Sequence, residues 1–337
     1  MQDETSTDQV AQAQDGPLLF GRILDGQGGG RAISWPEALA WEPGTSGEVL
    51  WVHLDRTTEG LAEMLQGQLS MPEPTLRLLT GDGARPRAFR EGDTLVASLR
   101  GINFNPGAHP EDMITMQLWS DGKRLLTLRR RPMQTPRDTL ADIDAGKGPR
   151  DAGALITSLT DYMVSRMDAS IVDMNVLIDE CEKANAEDEP GTLLENIVMI
   201  RRNCLALQRH MGPQHGALER ISREAPAWFE DHDRREIAET IERLRRYLDD
   251  IDISKESAVV LLDELRTRAA ARSDRTNYLL TIVAAIFLPL GFVTGLMGIN
   301  VGGMPGLENA DAFWIVVGLC VTMLMVQLVL FWRWKWL

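Results

Sequence analysis

The chain has 337 residues, 44% of them hydrophobic and 25% charged, with a formal net charge of −14. That length can bury one or two real cores. The acidic balance argues against nucleic acid as a partner and suits a protein that handles cations, although it also serves plain solubility. Cys181, Cys204 and Cys320 form no CxxC pair and give no framework for disulfides.

Residues 1–16 are polar, acidic at the start and without the apolar core of a secretory leader, so a disordered tail is expected there. From 17 to 135, short β-like runs alternate with turn residues. "EVLWVHLD" and "DTLVASLRGINF" are rich in strand formers, and "MITMQLWSDGKRLLTLRRR" reads as a hairpin turning at Asp121-Gly122. Helical stretches, "EGLAEMLQGQ" and "PEPTLRLLTG", lie between them. The segment is predicted to be a mixed α/β domain whose sheet order the sequence does not reveal.

After Pro136 the strand signals stop, and 136–232 reads as a helical hairpin. Ile156, Leu159, Met163, Met167, Ile171, Met174, Ile178 and Cys181 recur at steps of three and four, predicting one long helix. "CEKANAEDEPGT" breaks it, with Asp179, Glu180, Glu182, Glu187, Asp188 and Glu189 read as a solvated turn. A second helix is expected from Leu193 to Met211, antiparallel to the first, followed by a loop at Gly212-Pro213 flanked by His210 and His215, a candidate metal pair.

A stalk helix is expected over 233–277. Ile237, Ile241, Leu244, Leu248, Ile251, Ala258, Leu262, Leu265 and Ala269 follow heptad-like spacing, with Lys255 a polar interruption. No Pro or Gly intervenes from Pro226 to Pro289, so one helix on the order of 90 Å is allowed. At its start Asp231, His232 and Asp233 make a candidate cytoplasmic metal site, and a plain helix cap explains the same residues.

Two uncharged runs, 278–298 and 313–332, each have about the 20 residues that a bilayer-crossing helix needs. Arg266, Arg268, Arg272 and Arg275 precede the first, and Arg333 and Lys335 in the basic tail 333–337 follow the second, while the loop 299–312 has no Lys or Arg. Both termini are therefore expected in the cytoplasm, with the loop outside. Trp332, Trp334 and Trp336 suit an interfacial belt in contact with lipid.

Between the spans lies "GLMGINVGGMPG". Gly291, Gly295 and Gly298 form one smooth helical face, fit either for close helix packing or for lining a lumen. Glu308 and Asp311 are the only charged side chains of the loop, placed to concentrate cations or simply to keep the loop outside. No His or Cys occurs from Asp274 to Ala312, so a zinc ion passing here would pass largely hydrated. G-x-S-x-G, HExxH and P-loop signatures are absent, so an enzyme or an ATP-driven pump is not expected.

The layout, together with "FLPLGFVTGLMGIN", resembles the CorA superfamily of divalent-cation transporters. Gly298-Ile299-Asn300, where that family usually has Gly-Met-Asn, followed by "VGGMPG", resembles its zinc-transporting branch, ZntB. The resemblance implies a homopentameric funnel in the cell inner membrane whose five first spans line an axial pore. It implies a selectivity ring of Gly298, Ile299 and Asn300, with Glu308 and Asp311 at the external mouth. Below the ring, Asn277, Thr281, Ala284, Leu288, Gly291 and Gly295 would line the pore. The implied activity is Zn²⁺ uptake coupled to protons, with no cofactor beyond the transported cation. A Mg²⁺ or Co²⁺ channel of the same architecture, and a membrane-anchored metal sensor without transport, remain alternatives. Asp274, flanked by arginines, is the one candidate proton carrier near the pore helix.

Overall fold

The computed structural model describes residues 16–44, 47–82, 85–109, 112–183, 190–299 and 310–334. The expected tail over 1–16 therefore lies outside the described residues except for Gly16, as do Asn300, Glu308 and residues 335–337. The chain divides into two compact units, Met1–Leu261 and Leu262–Leu337.

The first unit is built on a seven-stranded sheet. Its strands are β1 (Leu18–Leu24), β2 (Gly30–Ala32), β3 (Val49–Asp55), β4 (Arg87–Glu91), β5 (Thr94–Gly101), β6 (Ile114–Ser120) and β7 (Arg124–Arg129), in the order β2-β1-β3-β7-β6-β5-β4. Only β3 and β7 pair in parallel; every other neighbouring pair is antiparallel. The β6–β7 hairpin turns where the sequence predicts. Asp121 Oδ1 accepts the N–H groups of Lys123 and Arg124, and Gly122 takes φ +83°, which a side chain would resist.

Strand β3 is buried over six consecutive residues, because both faces of the sheet are covered. Leu50, Val52 and Leu54 join a core with helices α1 (Trp35–Ala40), α2 (Leu61–Leu69) and α3 (Glu73–Thr80). Trp51 and His53, one residue out of phase, point to the opposite face. There α4 (Gln134–Asp144) packs on α5 (Ala152–Ser165), and α5 in turn packs on β5.

Two details of the helical part depart from expectation. The predicted helix over 156–181 is two helices, α5 and α6 (Met167–Lys183), separated at Arg166. No Gly or Pro marks the break. Arg166 turns out to pair with Asp138 of α4 at 2.5 Å and to lie over the Phe104 ring at 5.5 Å, tertiary contacts that local periodicity does not carry. In turn, no loop interrupts residues 212–213: α7 runs from Pro190 to Glu224 with Pro213 inside it. Leu207, Met211, Ala217, Leu218 and Ile221 continue one buried face across the proline. Gln214, also buried, accepts the Arg100 backbone N–H at 2.6 Å. This packing outweighs the lost helical hydrogen bond. Cys204 of α7 meets Met174 of α6, sulfur to sulfur, at 3.5 Å, and Cys181, Cys204 and Cys320 are free thiols.

The next helix, α8, spans Asp231–Met297. In the first unit its apolar spacing becomes a buried face at Ile237, Ile241, Leu244, Ile251 and Ala258. Ser254, buried on the same side, donates to Asn175 Oδ1 of α6 at 2.7 Å.

Candidate functional site

The second unit contains the last part of α8 and α9 (Ala312–Arg333), both long and apolar enough to cross a membrane. Within α8 a few side chains between 278 and 297 are withdrawn from solvent: Ile282, Ala285, Ile286, Pro289, Leu290 and Val293. At about 100° per residue they gather on one side. Asn277, Thr281, Ala284, Leu288, Gly291 and Gly295 recur at alternating steps of four and three on a face centred about 150° away. All six are exposed in the single chain, Leu288 at 72%.

The covered side has a specific anchor. Pro289 has no N–H, so the Ala285 carbonyl one turn back loses its helical donor. The side-chain amide of Gln327 on α9 donates to that carbonyl at 3.4 Å. Thr281 and Thr294 turn their hydroxyls onto their own helix, donating to the Asn277 carbonyl at 2.8 Å and the Leu290 carbonyl at 3.0 Å. These hydroxyls are satisfied without a partner helix, and beyond Asn277 the exposed face is left with small side chains and the apolar Leu288.

Helix α8 ends at Met297. The Gly298 N–H closes the last turn on the carbonyls of Thr294 at 3.0 Å and Gly295 at 3.1 Å. Ile299 follows, 48% exposed. Of the two expected mouth carboxylates, Asp311 stands exposed at the N-cap of α9, and Glu308 falls outside the described residues together with Asn300.

In the first unit, His232 and Asp233 come together with Asp151, the N-cap of α5, while Asp231 stays on the exposed side of the first turn of α8. His232 Nε2 lies 3.1 Å from Asp233 Oδ1 and 3.9 Å from Asp151 Oδ2, and Nδ1 lies 3.7 Å from Glu230 Oε2. Burial, and to a smaller extent the neighbouring Asp151 and Glu236, push the Asp233 carboxyl up to about 6, against the Glu230 N–H that it accepts. His210 and His215 share α7 but, five residues apart, point in different directions. Burial and then Arg100, Arg209 and Arg85 hold the His210 imidazole down to about 4, a cationic surrounding hostile to a metal ion.

Sequence reasoning missed two residues. Asp151 is 81 and 82 positions from its partners His232 and Asp233, its one local signal being an Asp ahead of an apolar helical run. Gln327 is the only amide in the second apolar run, a polar residue at membrane depth that asks for a partner.

The family model of the CorA-like Mg2+ transporter protein matches residues 46–333. The divalent cation transporter CmaX of Pseudomonas aeruginosa is 34% identical over 95% of this chain and 97% of its own length. The zinc transport protein ZntB of Yersinia enterocolitica is also 34% identical, over 95% of this chain and 96% of its own. The full-length CmaX structure superposes with a TM-score of 0.83 at 33% identity, covering 96% of this chain and all of that one. With two helices of spanning length in a transporter family, the chain is a membrane protein. By a match over most of its length and by these relatives, it belongs to the family of CorA-like Mg2+ transporters.

Proposed function

We propose that this chain carries divalent cations, Zn²⁺ foremost, through an axial pore formed by five copies. The observation that carries this reading is the uncovered face of α8. Gln327 holds α9 on one side of that helix, and the side bearing Asn277, Thr281, Ala284, Leu288, Gly291 and Gly295 is left exposed by the described residues. A row of that composition gains most from facing a lumen shared with other copies, where small side chains leave room for hydrated ions.

In this reading Gly298, Ile299 and Asn300 form the selectivity ring, and Glu308 and Asp311 raise the local cation concentration at the mouth. Five amide oxygens at Asn300 hold an ion through its first-shell waters, which suits a pore stretch without thiolate or imidazole. Arginines before the first span and at the end of the second orient both termini to the cytoplasm of an inner membrane. Zinc as cargo is supported by relatives named zinc transport proteins and by Ile299 with the "VGGMPG" loop, and not by ligand chemistry in the span. Proton coupling draws no carrier from residues 279–298, which contain no ionisable side chain, and leaves Asp274 as the nearest carboxylate.

The test is metal flux into proteoliposomes of the purified protein, with Zn²⁺ and Mg²⁺ compared at several imposed pH gradients, for wild type and Asn300→Leu. Zinc entry that rises with an inward proton gradient and disappears in the variant, with a pentamer retained, is the expected result. A preference for Mg²⁺ would make the chain a magnesium channel of the same build. A stable monomer or dimer without flux would make it a membrane-anchored sensor.

A further inference from the structure

We propose that Asp151, His232 and Asp233 bind a Zn²⁺-class transition ion within one chain, tying the N-terminus of α5 to that of α8. Each carboxylate divides its work between its two oxygens. Asp151 Oδ1 accepts the Ala154 N–H at 2.8 Å as the cap of α5, and Asp233 Oδ2 accepts the Glu230 N–H at 2.8 Å at the start of α8. Capping thus accounts for one oxygen of each residue. The other two, Asp151 Oδ2 and Asp233 Oδ1, turn toward His232 Nε2 at 3.9 and 3.1 Å.

Asp233 Oδ1 is the atom that capping leaves unexplained. Its side chain is wholly buried, and among the described residues Oδ1 accepts no hydrogen bond even though the imidazole is close. A buried carboxylate oxygen without a donor is costly and calls for a cation or a hydrogen-bonded proton. Its position is built in by Gly153, where a Cβ would come within 2.0 Å of Asp233 Oδ2.

The geometry fits a metal. Ligand bonds of about 2.0–2.2 Å set tetrahedral ligands roughly 3.3–3.6 Å apart; His232 Nε2 lies 3.1 and 3.9 Å from the two carboxylate oxygens, and all three atoms lie within 4.8 Å of one another. His232 Nδ1 faces Glu230 Oε2 at 3.7 Å, the place of an outer carboxylate that fixes a ligating imidazole. Asp151 and His232 are each 46% exposed, so an ion and a coordinating water have access. The two helix N-termini oppose a cation, and Asp151, Asp233, Glu230 and Glu236 together offset them. One imidazole and two carboxylates favour Zn²⁺, Co²⁺ or Ni²⁺ over Mg²⁺, which prefers six oxygens in a near-ideal octahedron.

The competing occupancy is an imidazolium shared between the two carboxylates. Titrating chelator-treated full-length protein in detergent with Co²⁺ alone, read by visible absorption, separates the two. The expected result is one Co²⁺ per chain in wild type that weakens at least tenfold in His232→Ala, weakens about tenfold in Glu230→Gln, and resists a hundredfold excess of Mg²⁺. The same stoichiometry and midpoint in wild type and His232→Ala, or displacement by equimolar Mg²⁺, would overturn the proposal. Should His232→Ala fail to fold, Asp151→Asn, which keeps an acceptor for the cap, gives the same two readings. Pore residues are unchanged in every variant, so the difference stands whether or not the chain transports zinc.

Discussion

The side-chain amide of Gln327 donates at 3.4 Å to the backbone carbonyl of Ala285, the carbonyl that Pro289 leaves without a helical partner. A proline in the first apolar helix and a glutamine in the second are thus two halves of one device. In hydrocarbon an unpaired carbonyl has no water to turn to. Gln327→Leu should therefore cost on the order of 1 kcal/mol of stability in the second unit. Pro289→Ala restores an N–H at that turn, and in its background Gln327→Leu should be nearly neutral. A double-mutant cycle read by detergent unfolding tests this; equal costs in both backgrounds would show that the bond contributes nothing.

The two sides of α8 should differ in reach from water. In a background with Cys181, Cys204 and Cys320 replaced, single cysteines at 281, 284, 288 and 291 should react with a membrane-impermeant thiol reagent in the assembled protein. Cysteines at 282, 286 and 293 should not. Divalent cations should slow the first group, as they compete for the same lumen. Uniform labelling, or labelling that follows the opposite face, would remove this helix from the pore wall.

Gly153 offers a reversed sign. In most helix interiors Gly→Ala stabilises by about 0.5–1 kcal/mol. Here the new Cβ would fall 2.0 Å from Asp233 Oδ2 in a fully buried spot, so Asp233 must leave its place on the Glu230 N–H. Gly153→Ala should destabilise the first unit by about 2 kcal/mol, measured by thermal unfolding of the metal-free protein. A gain in stability would mean that Asp233 moves aside freely.

What the sequence made legible follows from the range of each signal. The Asp121-Gly122 hairpin, the buried β3 and the two apolar helices each rest on local chemistry: a side chain capping its own turn, period-two or unbroken hydrophobicity, and absence of charge. The parallel β3–β7 pairing joins strands about 75 residues apart, and nothing in either strand names the other. The same limit hid the break at Arg166, which Asp138 and Phe104 hold from elsewhere, and the helix through Pro213, which burial of Met211, Gln214 and Leu218 sustains. At the candidate site, His232 and Asp233 were visible as neighbours in sequence, whereas Asp151 needed the fold to arrive.

The pairing of β3 with β7 also sets an acid limit. His53, 2% exposed, is the register partner of Thr127, whose hydroxyl accepts the Trp51 indole N–H at 2.9 Å and lies 2.9 Å from His53 Nδ1. The Thr127 hydroxyl can donate to the Val52 carbonyl at 3.4 Å or to Nδ1, the second only with a neutral imidazole. Burial, then Arg129 and Arg137, depress the imidazole from 6.5 to about 3, against a hydrogen bond with the Thr127 backbone. The unfolded chain takes up a proton near pH 6.5 that the folded chain refuses until near pH 3. Stability from this group is thus complete above pH 6.5 and lost as pH falls toward 3, by about 3 kcal/mol at pH 4. Unfolding of the first unit, followed by tryptophan fluorescence between pH 4 and 7, should show this loss in wild type. His53→Gln, which keeps a polar partner for Thr127 but does not titrate, should flatten the slope even if it lowers stability at pH 7. An unchanged slope would place the acid sensitivity elsewhere in the unit.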